Sequence, residues 1–198
     1  QAESEINEWI SGGKGNIKPI AENFNMGFWH TKEIVNLLQW MREYNKGKSQ
    51  EEQIKFYGID VQSGRKLNQE IREFVDSTKI SIDKKLLAVA ERIEYGEKDP
   101  WWKNQLPKLN DLKQQILRTN LEREKYKNVL RSLDYLISYT EYASLVKEKY
   151  PKSTEFRDLK MFENVKYIVE HISENGKAFI WAHNEHINKN EMYSTGSN

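Results

Sequence analysis

Cysteine is absent from the 198-residue sequence. That removes disulfides, thiolate nucleophiles and cysteine-ligated zinc or iron–sulfur sites, and it leaves the compartment open. An excess of either charge is lacking too. The 31 Lys and Arg face 30 Asp and Glu, so there is no overall basic footprint for nucleic acid or an anionic membrane. No apolar run approaches the roughly 18 residues of a membrane span. Aliphatic residues are scarce as well: hydrophobic residues make up 37% against 31% charged, and mean hydropathy is −0.86.

Aromatics are plentiful by contrast, with 6 Trp, 10 Tyr and 7 Phe. Disordered chains are poor in aromatics because they cannot bury them, so this chain folds. Its thin aliphatic core then needs a reason. The sequence opens at Gln1 without Met or a signal-peptide pattern, and the natural N-terminus is expected to lie elsewhere.

Helical periodicity dominates. Ile6, Trp9 and Ile10 form a stripe closed by Ser11-Gly12-Gly13. Thr31 is an N-cap candidate for a helix carrying Ile34, Leu37, Leu38, Met41 and Tyr44, with Trp9 and Trp40 expected in the core. Leu67, Ile71, Phe74 and Val75 form the next stripe, and Ser81 or Asp83 starts another through Leu86, Leu87, Ala90 and Ile93. A turn-rich break is expected at 96–107, with Trp101-Trp102 as an exposed pair. A helical hairpin follows through Leu109–Leu117 and Tyr126–Leu145. The last helix is expected over about 154–174, with Phe156, Leu159, Phe162, Val165, Val169 and Ile172 inward and Asn175-Gly176 as its C-cap.

Two segments do not fit helices. Ile54-Lys55-Phe56-Tyr57-Gly58-Ile59 and Ala178-Phe179-Ile180-Trp181-Ala182 read as buried strands of a parallel sheet. An isolated pair is marginal, so both need neighbours that this sequence does not offer. The resulting expectation is an α/β architecture, predominantly helical here. Two short parallel strands (about 54–60 and 177–183) flank a helical insertion (about 64–174). Residues 1–198 would be a single segment of a larger α/β hydrolase-like domain, its thin core reflecting a sheet shared with the remainder of the parent chain.

In open parallel sheets, chemistry collects beyond the carboxyl ends of strands. One candidate strand delivers Asp60, the other His183-Asn184-Glu185-His186, where a fixed backbone suits a general base or an orienting group. The bland alternatives are a solvated histidine loop and an Asp60 helix N-cap. A metal pair is disfavoured: the spacing is not the His-Glu-x-x-His of helical zinc sites, whose histidines are four apart. His30 reads as a packed or capping residue. His171, near a helix C-terminus, reads as structural.

The order of motifs adds a resemblance. Trp29-His30-Thr31-Lys32-Glu33, Trp40-Met41-Arg42-Glu43-Tyr44-Asn45 and Phe56-Tyr57-Gly58-Ile59-Asp60 come in succession. Later come Arg157-Asp158-x-x-Met161-x-x-Asn164 and Ala182-His183-Asn184-Glu185-His186-Ile187. The series resembles the erythromycin esterase-like family, which includes proteins labelled succinoglycan biosynthesis proteins, over about residues 20–190.

The resemblance implies metal-independent hydrolysis of a small-molecule ester, with macrolide lactones as the substrate class and no cofactor. His183 and His186 match the family's C-terminal histidine pair and carry its catalytic roles. Asp60 and Arg157 match positions near the site and are assigned to substrate binding. The family's N-terminal Gly-Glu-x-x-His-Gly motif has no counterpart here, so this segment alone is expected to be inactive. Two alternatives stay open: the same fold acting on another ester, such as a polysaccharide acyl group, or a non-catalytic helical scaffold.

Overall fold

The computed structural model describes residues 2–22, 24, 27–64, 67–92, 101–146 and 152–187. Its helices build two adjoining cores. In the first, α1 (Ala2–Ile10), α2 (Ile17–Ala21) and α3 (Lys32–Asn45) pack together. They bury Ile6, Trp9, Ile10, Ile17, Ala21, Ile34, Leu38 and Met41. Thr31 caps α3 as expected, its hydroxyl accepting from the Ile34 N–H at 3.4 Å, which satisfies one of the orphan donors of the first turn.

The second core is a four-helix bundle of α4 (Leu67–Thr78), α5 (Lys84–Arg92), α6 (Trp101–Leu117) and α7 (Arg123–Leu145), with α4 closing on α7. Ile71, Leu109, Leu112, Ile116, Leu133 and Leu136 are completely excluded from solvent there. Asp83, one of the two start positions read from the sequence, accepts from the Lys85 N–H at 2.8 Å. The expected break over 96–107 is overturned in its second half: α6 begins at Trp101 and carries Pro107 inside it. The buried stripe of Leu109, Leu112 and Ile116 outweighs the missing proline N–H. Residues 96–100 and the side chains of Trp101 and Trp102 lie outside the described part.

The last long helix, α8 (Lys152–His171), packs on α7. Its inward face differs from expectation. Met161 and Ile168 are buried, whereas Leu159 and Phe162 are exposed by 52% and 63%. Trp9 is core, but Trp40 is 55% exposed. The expected C-cap is corrected: α8 ends at His171, with the Ile168 carbonyl accepting from the Ile172 and Ser173 N–H groups. Gly176, with a positive φ of 64°, sits in the turn beyond, a conformation glycine adopts without strain. The Asn175 side chain accepts from the Lys177 N–H at 3.0 Å.

The two expected strands do not form. Among the described residues there is no β-ladder, and no backbone hydrogen bond joins 53–61 to 176–183. The reason for the first segment is explicit. Asn45 accepts from the Ile54 N–H at 2.7 Å and donates to the Ile54 carbonyl at 2.9 Å. Asn7 does both with Phe56, at 2.7 Å each. Glu3 accepts from the Gly58 N–H at 3.0 Å, and the Tyr135 hydroxyl donates to the Gly58 carbonyl at 2.6 Å.

Residues 54, 56 and 58 therefore turn one backbone edge to the helices, as alternate residues of an extended chain do, and side chains satisfy that edge in place of a strand. In the second segment Lys177 is bonded by Asn175 and Ser173, but among the described residues no side chain holds the backbone of residues 178–182. Phe179 is 94% exposed and Trp181 54%, Trp181 being held by an edge contact with Trp29 at 5.6 Å.

Gly64, which joins the extended segment to the bundle, has no room for a side chain. A Cβ there would lie 2.7 Å from Tyr139 Cδ1 and 3.0 Å from Leu136 Cδ1. Gly64→Ala is expected to lower stability by about 1–3 kcal/mol, as overpacking does. Urea denaturation reads this directly, and an unchanged midpoint would mean that α7 yields at this contact.

Candidate functional site

Helix α8 brings the candidate residues together. Arg157, Met161, Asn164 and Ile168 fall on one helical face by their spacing. Met161 and Ile168 supply the buried anchor, and the polar members grip the end of the extended segment. Arg157 donates from Nε to Asp60 Oδ1 and from Nη2 to Oδ2, both at 2.8 Å. Such a two-point fork fixes direction as well as distance. Asn164 donates to the Ile59 carbonyl at 2.8 Å. Asp60 is thus the partner of a guanidinium, and not the N-cap that a structural reading offered.

One residue further round the helix, Asp158 Oδ1 lies 2.6 Å from His186 Nδ1. His186 keeps 12% of its side-chain exposure and Asp158 32%. His183 is far more open, at 71%. It stands at the N-cap position of the short helix α9 (Asn184–Ile187), and its Nδ1 accepts from the Glu185 N–H at 3.3 Å. The two imidazole rings lie 6.5 Å apart.

The four residues singled out from the sequence therefore fall into two pairings carried by neighbouring positions of α8: Asp60 with Arg157, and His186, beside His183, with Asp158. Among the described residues, no three His, Asp or Glu side chains converge into a group that could hold a metal ion.

Burial works against the Arg157 charge, but the hydrogen bonds and charge of Asp60, with Tyr142 and Asp158, hold its pKa above the ordinary value. Deeper in, burial pushes the Tyr135 phenol up, with Arg131 opposing. Arg131 itself forks onto Glu3 at 2.8 and 3.3 Å, so the carboxylate that holds Gly58 is itself held.

Asp158 and Asn164 were part of the quoted helix motif but received no role from the sequence. The signal that could have found Asn164 is its place seven residues after Arg157, on the same face. His30 and His171 lie elsewhere, His30 Nε2 at 2.9 Å from the Phe24 carbonyl and His171 against Tyr167.

The model of the family described as erythromycin esterase matches residues 2–198. The chain belongs to the erythromycin esterase family. Among solved structures, this family member is similar to a succinoglycan biosynthesis protein with a TM-score of 0.68 and 19% identity, covering 92% of this chain and 46% of that one. It is also similar to a protein from Bacillus cereus with a TM-score of 0.72 and 18% identity, covering 98% of this chain and 49% of that one. These likenesses establish a shared fold, and the chain spans about half the length of either structure. No curated protein matches the sequence significantly.

A double-mutant cycle of Asp60→Asn and Arg157→Lys is expected to give a coupling on the order of 1 kcal/mol, the upper part of the range for a partly exposed pair. Additive losses in urea denaturation would show that the fork does not brace α8.

Proposed function

We propose that this protein contributes the C-terminal histidine pair of a hydrolase acting on small-molecule esters, with macrolide lactones as the leading class. The observation that carries the reading is the Asp158–His186 pair at 2.6 Å, set beside the exposed His183 and braced to the Asp60–Arg157 fork through one helix. Family membership supports hydrolysis. Ester hydrolysis needs a base for water and a donor for the developing oxyanion, and a neutral imidazole can contribute either one alongside the groups of the family's N-terminal motif. The fork holds Asp60 and Arg157 at the rim, where a polar group of the substrate can engage the remaining oxygen lone pairs or Nη1.

The reading places the catalytic unit in a larger α/β domain. The family's N-terminal catalytic motif has no counterpart in residues 1–198, and the aligned solved structures are about twice as long. Phe179 and Trp181, and Leu159 and Phe162 on α8, are exposed apolar side chains of the kind that further strands of the parent chain would cover. A polysaccharide acyl ester is the second substrate class. It shares the chemistry, and a parallel assay on both ester types separates the two.

In the protein carrying the whole domain, His183→Ala and His186→Ala are each expected to lower kcat/KM for an ester by about 10²- to 10⁴-fold, the usual contribution of one acid–base group. His171→Ala should leave turnover unchanged, and the 198-residue chain alone should be inactive. Wild-type turnover in either active-site variant would remove that histidine from the mechanism.

A further inference from the structure

We infer that Asn175 is a site of spontaneous deamidation, and that the turn around it promotes the conversion of its amide into a carboxylate with water as the only co-reactant. The inference is independent of the hydrolase reading. Asn175-Gly176 is the one Asn-Gly step in the sequence, and both residues are exposed. A Cβ built on Gly176 would meet nothing within 4 Å. Neither a side chain of its own nor a neighbour therefore crowds the backbone beside Asn175.

The turn treats the two ends of the amide differently. Asn175 Oδ1 accepts from the Lys177 N–H at 3.0 Å and from the Ser173 hydroxyl at 3.2 Å, while among the described residues nothing holds Nδ2. The Gly176 N–H makes the longest bond of the turn, 3.4 Å to the Ser173 carbonyl, at the weak end of the range. Asn7 and Asn45 show the contrast. Each has both Oδ1 and Nδ2 bonded to backbone, so neither amide is free to turn toward the nitrogen of the following residue.

The chemistry uses those contacts in order. Hydroxide removes the Gly176 N–H proton, and that nitrogen bonds to Asn175 Cγ. The Cγ=Oδ1 π pair moves onto Oδ1, where the Lys177 N–H and the Ser173 hydroxyl donate to the developing negative charge, as donors aimed at an oxyanion do in catalysis. Collapse re-forms the carbonyl and breaks the Cγ–Nδ2 bond. Nδ2 takes a proton from water and leaves as ammonia, which regenerates hydroxide and leaves a cyclic imide. Water then adds to either imide carbonyl. Opening at Cγ gives aspartate, and opening at the backbone carbon gives isoaspartate, whose main chain runs through the side-chain carbon. Either product adds a negative charge beside Glu174. Isoaspartate also lengthens the link between α8 and the segment that leads to His183 and His186.

The test is a time course on the folded 198-residue chain at neutral and alkaline pH, read by mass spectrometry of the tryptic peptide that ends at Lys177. The synthetic peptide of residues 167–177 serves as the unfolded reference. Expected is loss of ammonia followed by gain of water at Asn175, faster at alkaline pH and faster in the chain than in the peptide, with Asn7 and Asn45 unchanged. Ser173→Ala should slow the reaction about threefold to tenfold, the worth of one neutral hydrogen bond expressed as a rate. Gly176→Val should bring position 175 down to the level of the other asparagines. Slower conversion in the folded chain than in the peptide would show that the turn protects Asn175, and would overturn the inference. So would a folded Gly176→Val chain that converts as fast as the wild type, because Gly176 N would then not be the nucleophile. An unchanged rate in a folded Ser173→Ala chain would remove the hydroxyl from its role.

Discussion

The site depends on how one stretch of backbone, residues 54–60, is satisfied without a neighbouring strand. An extended chain offers a row of N–H and C=O groups that cannot be left unpaired in a folded interior. Here Asn45, Asn7, Glu3 and Tyr135 take one edge, residue by residue at 54, 56 and 58. Those side chains come from α3, α1 and α7, so the same bonds that satisfy the segment tie the first helical core to the bundle. The brace is reinforced from behind, where Arg131 of α7 grips the same Glu3 that accepts from Gly58.

The consequence runs outward to the chemistry. A fixed 54–58 edge fixes Ile59 and Asp60, and these are what α8 grips through Asn164 and Arg157. With α8 set in rotation and depth, Asp158 is aimed at His186. Each link is a short polar contact between elements far apart in sequence. A shift of α8 by a single residue would break the fork, the Ile59 bond and the histidine contact together. Precise placement of catalytic groups requires this kind of supporting layer.

Much of this was legible beforehand. The helices follow from apolar periodicity and the α3 start from Thr31, because caps and periodicity are local effects. The nearness of the His183 and His186 rings is legible from their three-residue spacing, a local effect. Three things were not. Pro107 sits inside α6 because the burial of Leu109, Leu112 and Ile116, a tertiary effect, overrides a local breaker. Helix α8 is apolar on more than one face, so periodicity alone does not choose between Met161, which is buried, and Phe162, which is exposed. The strands at 54–60 and 177–183 were read from composition, yet a strand requires a partner, and Asn7 and Asn45 are chemically able to stand in for one. Nothing in an isolated asparagine signals that role.

The account is tested most directly by amide hydrogen exchange along residues 54–58 of this chain, read at single residues by NMR. Side-chain closure of one edge predicts alternation: the Ile54, Phe56 and Gly58 amides exchange slowly, and those of Lys55 and Tyr57 exchange fast, since protection follows the hydrogen bonds that must open. Uniform protection across the five would mean that both edges are paired. Uniformly fast exchange would mean that the side chains do not hold the segment, and the placement of Asp60, α8 and His186 would lose its basis.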